Sequence, residues 1–249
     1  METDKRKQTI KFYVAVTVLV LILIIIAIIM IKYEVEGDQN MPFKLSKIIV
    51  VSTAEGVEQQ GTDKKWAFNI YQNNDIYFYI DKNNEYKSEK QMYIDSVSIE
   101  NIEVINSPQI GEIKAYMPNS SEGRMYSYAE DSIVDEVLKY NGATRSDSRN
   151  LKIGNQGGNI AIRFSNTGIG KYESNDDEQI VHDGTLIKKL EKTTDDIKFT
   201  VNFDFIIVIN KNKYKAKITL DLPCGDIVEN GTANYEKSDM KDIIFKREK

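Results

Sequence analysis

The residues able to do covalent chemistry are few. Cys224 is the single cysteine and His182 the single histidine of the 249-residue chain. A thiolate–imidazole pair would need the two side by side, because a reactive cysteine requires a base or cation to lower its pKa. "LPCGD" carries no recognised nucleophile context, and a lone cysteine at the exit of a strand reads more simply as a small core residue. No G-x-S-x-G elbow and no H-E-x-x-H pair occurs. Two acidic stretches offer the hard oxygen ligands that calcium prefers: Asp176, Asp177 and Glu178 in "ESNDDEQ", and Asp81, Asn83 and Glu85 in "DKNNE". Neither completes a calcium loop; the second has Tyr86 where the loop needs Gly and Met92 where it needs a carboxylate. No metal site and no cofactor are assigned, and Asp176, Asp177 and Glu178 stand only as weak metal candidates.

Three further motifs carry a plain structural reading beside a functional one. "GNQGG" at 154–158 is glycine-rich but lacks the G-K-[ST] ending of a phosphate loop, so it reads as a turn before the strand "NIAIRFS". Tyr71, Tyr77 and Tyr79 flank "QNND" and could form a carbohydrate or peptide platform, although within a sheet the same rings are ordinary cross-strand packing. "NSS" at Asn119 and "NGT" at Asn230 match glycosylation sequons, which such short patterns do by chance.

The elements that would position these residues divide at the amino terminus. Phe12 to Ile31 is a run of 20 residues without charge, Gly or Pro, enough to cross a hydrocarbon core about 30 Å thick as one helix. A secretory signal has an apolar stretch of about 7–15 residues and a small-residue cleavage site. Here the run leads instead into "MIKYEVEGDQN". Lys5, Arg6, Lys7 and Lys11 precede the run, whereas Glu34, Glu36 and Asp38 follow Lys32 on its far side. The positive-inside rule therefore predicts a cytoplasmic tail over 1–11, a transmembrane anchor over 12–31 and an extracytoplasmic remainder. A polar linker is expected over 32–46 and a folded domain over 47–249.

Removing the four basic and two acidic residues of positions 1–11 from the chain's 33 and 38 leaves 29 against 36, a net charge of −7. That disfavours nucleic acid and anionic lipid surfaces as partners of the domain, since both need a cationic face. One cysteine allows no intramolecular disulfide, which is unlike secreted eukaryotic domains of small size.

Beyond Lys47 the apolar period is two, and polar clusters punctuate the runs. In "IKFTVNFDFIIVINKNKYKAKITLDLP", Ile197, Phe199, Val201, Phe203, Phe205, Ile207 and Ile209 share one face. "NKNK" turns the chain, and Tyr214, Ala216, Ile218, Leu220 and Leu222 return on alternating positions, predicting an antiparallel hairpin. "WAFNIYQNNDIYFYI" predicts a second hairpin with its turn at Gln72–Asp75. Shorter runs at "KIIVVST", "SVSIENIEVI", "GEIKAYM", "GGNIAIRFS" and "DIIFKR" bring the expected total to about nine or ten strands, enough for two packed sheets. Two short helices are expected, one in "EDSIVDEVLKYNG" with Ser132 and Asp135 at capping-box spacing, the other in "GTLIKKLEK". The fold class is thus mainly β: an amino-terminal transmembrane helix followed by an antiparallel, immunoglobulin-like β-sandwich, with a candidate boundary at 141–156 if the sandwich is two.

Taken with the anchor, the segments "NIYQNNDIYFYI", "GNQGG", "HDGTL" and "LPCGDIVENGT" resemble those of uncharacterised single-pass proteins of anaerobic, low-GC Gram-positive bacteria. The resemblance implies a cell-membrane location and no particular activity. The expected function is a membrane-tethered binding or scaffold module of the cell envelope, with an envelope protein or glycan as partner and no nucleic acid. The rival reading is an envelope hydrolase using paired carboxylates or Cys224.

Overall fold

The computed structural model describes residues 2–32, 41–59, 66–116, 137–142, 152–153, 158–174 and 185–248. Helix α1, Glu2–Lys32, is followed by strands β1 (Phe43–Gln59), β2 (Ala67–Lys82), β3 (Ile94–Asn106), β4 (Glu112–Tyr116), β5 (Val137–Gly142), β6 (Lys152–Ile153) and β7 (Gly158–Glu173). One-turn helices α2 (Leu186–Lys189) and α3 (Thr194–Ile197) lead into β8 (Phe199–Ile209) and β9 (Asn212–Leu222). Helix α4 (Ile227–Asn230), β10 (Thr232–Lys237) and β11 (Lys246–Glu248) complete the chain.

The strands form two sheets of order β10-β1-β2-β7-β4 and β11-β9-β8-β3-β5-β6, antiparallel throughout except for the short β5–β6 pair. Within them the runs β1-β2-β7-β4 and β9-β8-β3 reproduce the A-B-E-D and G-F-C orders of a constant-type immunoglobulin sandwich, in the same chain sequence. Both sheets draw strands from before and after 141–156, so the chain builds one sandwich around that segment.

Alternation explains the core. Phe199, Val201, Phe203, Phe205, Ile207 and Ile209 on β8 are all buried, as are Ile76, Phe78 and Ile80 on β2 and Ile160, Ile162 and Phe164 on β7. Where antibody domains join their second and sixth core strands by a disulfide, this sandwich packs Phe78 against Phe203 (centroids 5.8 Å, edge-on) and Phe205 (4.8 Å). Each such ring contributes about 1.5–3 kcal/mol through burial, and each ring pair about 0.5–1.5 kcal/mol more. A second apolar cluster lies beneath the one-turn helices, where Phe68, Ile70 and Ile169 meet Leu186, Ile187 and Ile227.

The β8–β9 hairpin turns through Asn210 and Lys211, at φ 48° and 69°. With Ile209 facing Asn212, this is a two-residue loop with both central residues left-handed, the type I′ geometry that matches strand twist. The helix expected in "GTLIKKLEK" is α2, a single turn.

Several expectations are corrected. The predicted turn at Gln72–Asp75 does not exist: β2 runs unbroken through it, paired residue for residue with β1 from Ala67 to Tyr79. The carboxyl-terminal half of the helix predicted over 130–142 is strand β5, with Leu138 facing Ile99 of β3; residues 130–136 lie outside the described ones. The folded domain begins before Lys47, since Met41 and Phe43 are buried and β1 starts at Phe43. Ile197 closes α3 instead of opening β8. Strand β10 was not expected at all.

Candidate functional site

Because β2 is continuous, its polar centre is carried into the sandwich. Gln72 and Asn74 point inward between the two apolar clusters, and both are fully buried. The Ser52 hydroxyl, opposite Asn74 on β1, donates to Asn74 Oδ1 at 2.7 Å. Gln72 Nε2 donates to the same oxygen at 3.3 Å, and Asn74 Nδ2 donates to the Phe164 carbonyl at 3.1 Å. Asn166, opposite Gln72 on β7, donates through Nδ2 to the Ile110 carbonyl at 3.0 Å. Gln72 Oε1 and Asn166 Oδ1 are buried without a hydrogen-bond partner among the described residues.

The outward face of the same strands is polar too. The Ser165 hydroxyl donates to Asn73 Oδ1 at 2.6 Å, both residues being buried. One row further along, the Arg163 guanidinium clasps the Asp75 carboxylate through Nε and, at 2.7 Å, through Nη2. Such a bidentate pair, mostly withdrawn from water, holds geometry more than it adds stability. Tyr71, Tyr77 and Tyr79 lie on this outward face as half-buried cross-strand residues, not around a turn. The Tyr71 hydroxyl bonds Glu55 at 3.0 Å, and Lys47 Nζ sits 4.7 Å from the centre of the Tyr79 ring.

Cys224 is half-buried at the end of β9. Its amide donates to Ser52 Oγ at 3.0 Å, and its thiol lies 3.3 Å from that oxygen and donates to the Ala233 carbonyl at 3.3 Å. These partners are a hydroxyl and backbone; none is a base. His182 lies outside the described residues, as do Asp176, Asp177 and Glu178. Of the other acidic set, Asp81 and Glu85 are exposed, whereas Asn83 is buried and uses its carboxamide structurally. Its Nδ2 donates to the Met41 carbonyl at 2.9 Å and its Oδ1 accepts from the Glu85 amide at 3.1 Å, tying the start of β1 to the end of β2. Among the described residues no group of three or more His, Cys, Asp or Glu side chains could hold a metal ion.

A groove of about 550 Å³ lies between the margins of the two sheets. Ile48 and Val50 of β1 and Ile218 and Leu220 of β9 form its apolar wall, with Tyr235 and Lys237 of β10 above and Cys224 at its lower end. Asp242 accepts a hydrogen bond from Lys237 at 2.7 Å beside it. That bond holds the Asp242 carboxyl below its ordinary range and pushes the Lys237 ammonium above its own. A short way along the same margin, Glu248 of β11 receives Lys215 at 2.6 Å and Lys213 at 3.0 Å. The hydrogen bond from Lys215 is the main cause of the lowered Glu248 pKa. The groove depends on β9 and β10 lying side by side across two sheets, a proximity that local patterning does not encode.

No protein family, curated protein or solved structure matches this chain. The functional argument therefore stands on the geometry: a groove and a polar strand centre, with no nucleophile held by a base among the described residues.

Proposed function

We propose that this chain is a membrane-tethered extracytoplasmic module of the bacterial cell envelope, which acts by presenting the surface of its sandwich to a partner. The observation that carries the reading is α1. Ile10–Ile28 is long and apolar enough to cross a bilayer, with a mean hydropathy of 2.8, and none of that window is buried against the rest of the chain. Phe12, Tyr13 and Val14, which point in three directions about 100° apart around the helix, are each more than half exposed, which suits lipid on every side. The basic residues at 5–11 favour an amino terminus left in the cytoplasm. The test is fractionation and topology. The chain should pellet with membranes after an alkaline wash, and protease added to intact cells should remove an epitope at the carboxyl terminus but spare one at the amino terminus. Recovery of the full chain in cytosol, or a mature amino terminus beyond Met30, refutes the reading.

A further inference from the structure

Strand β9 is longer than the neighbour on its outer side. It spans Asn212–Leu222, yet β11 pairs with it only at Lys213, Tyr214 and Lys215. From Ala216 onward, no described strand lies on that edge.

The hairpin determines which backbone groups the edge offers. In a two-residue type I′ loop the flanking pair, here Ile209 and Asn212, exchanges both hydrogen bonds, and pairs then alternate between bonded and non-bonded. The even-numbered residues of β9 therefore turn their N–H and C=O groups toward β8. Lys217, Thr219 and Asp221 turn theirs away, along the open edge. Their side chains are exposed on the outer face, and Ile218 is buried on the inner one.

The space beside this edge is the groove. Tyr235 and Lys237 of β10 lie opposite Val50 and Ile48, whose side chains face the core, so both point from the first sheet toward the second. Lys217–Asp221 of β9, with Asp242 and Ile243, line the groove with them, and Tyr235 remains 47% exposed. The groove between β9 and β10 has a volume of about 550 Å³, with Asp242 and Ile243 of the β10–β11 connection also on its lining; a strand added to β9 would lie about 4.7–4.9 Å from it.

We propose that the edge from Lys217 to Asp221 takes up an extended segment of another protein, which adds to the second sheet as a strand antiparallel to β9. The segment's chemistry follows from the positions it must meet. Residues opposite Lys217, Thr219 and Asp221 exchange backbone hydrogen bonds with β9 and set their side chains on the outer face. An acidic residue belongs opposite Lys217 and a basic one opposite Asp221. Residues opposite Ile218 and Leu220 point inward beneath Tyr235, against Ile48 and Ile243, and are apolar. Proline is excluded opposite Thr219, where the amide is needed. Antiparallel pairing is the more stable per residue. A second copy of this chain is a poorer occupant, because its own β9 would bring its own β10 into the space this β10 occupies. The mode is strand addition, in which backbone bonds give affinity and alternate side chains give specificity.

The inference supplies a ligand class for the binding module proposed above and rests on that reading, but the two fail separately, since topology is decided in cells and strand addition in detergent. The full-length protein, solubilised in detergent, is titrated into fluorescein-labelled Lys-Val-Thr-Val-Glu flanked by serines, with polarisation as the readout. Saturable binding is expected, about tenfold tighter than for the charge-exchanged Glu-Val-Thr-Val-Lys, and lost when the central threonine is proline. The double variant Lys217→Glu with Asp221→Lys should reverse the preference between the two charged peptides. Equal binding of all three peptides, no saturation up to about 1 mM, or an unchanged preference in the double variant overturns the proposal. Concentration-dependent self-association that the double variant abolishes, with no saturable peptide binding, would assign the edge to a second copy instead and would equally overturn it.

Discussion

Replacing Asn74 with leucine separates the two possible states of "QNND". In a surface turn the substitution would be nearly silent, whereas in the centre of β2 it removes the hub of the inward polar row. Three hydrogen bonds are lost: from Ser52 at 2.7 Å, from Gln72 at 3.3 Å and to the Phe164 carbonyl at 3.1 Å. At about 1 kcal/mol each, and with Gln72 Nε2 left buried and unpaired, the loss is about 3–5 kcal/mol. The buried leucine returns about 2 kcal/mol. A net destabilisation of about 1–3 kcal/mol follows, which for a domain of this size lowers Tm by about 2–12 °C. Adding Gln72→Leu should then recover part of the loss, because it deletes both the orphaned amide and an oxygen that already has no partner among the described residues. Thermal unfolding of the full chain in detergent, followed by far-UV circular dichroism, measures both. An unchanged Tm in the single variant, or a further fall in the double variant, would refute the account of β2 as one strand with a bonded polar centre.

Phe78→Ala should cost about 3–5 kcal/mol, because its ring bridges the sheets against Phe203 and Phe205 and the cavity cannot close; urea unfolding of the full chain checks it. Arg163→Met leaves the Asp75 carboxylate mostly buried without its guanidinium and should cost about 3 kcal/mol, read by the same titration; Arg163→Met combined with Asp75→Leu should cost less than the single change. The margin pairs predict a pH response at both ends. Glu248 and Asp242 are held below the ordinary carboxyl range, so their contribution is complete above about pH 4 and is lost as pH falls through the lowered values. Lys215 and Lys237 are raised, so theirs is complete below about pH 10.4 and is lost as pH rises through the higher folded values. Carboxyl NMR should find the Glu248 midpoint below that of a free glutamate, and Lys215→Met should move it back up.

How much of this was legible in the sequence depended on how local each determinant is. The β8–β9 hairpin was readable because the alternation and the turn lie within one segment, and Asn210 is of a type that tolerates positive φ. "QNND" was misread because its residues are turn formers by composition, while their partners Ser52, Ser165 and Asn166 are distant in sequence and become neighbours only when β1 and β7 flank β2. The segment at 137–142 shows the same override: Val137 and Leu138 fit a helical stripe, yet their backbone pairs with β3. Strand β10 gave no signal, since none of its residues is buried and it has little apolar alternation to display.

The strand edge has the same origin. Natural sheets shorten, charge or cover an exposed edge, because unpaired amides invite other strands. Here Lys217 and Asp221 charge the edge with opposite signs, and Tyr235 and Lys237 of β10 line the groove beside it. Protection against indiscriminate pairing usually needs repulsion, and one sign of charge repels a like strand more strongly than two opposed signs. A Lys–Asp arrangement instead admits one order of charges and penalises the reverse. Exchanging the two residues should therefore change which segment enters without closing the edge, and replacing Asp221 with lysine should turn it into a barrier to basic segments and a trap for acidic ones. A measured preference that ignored both changes would mean that the charges serve solubility and that the shape of the groove alone does the selecting.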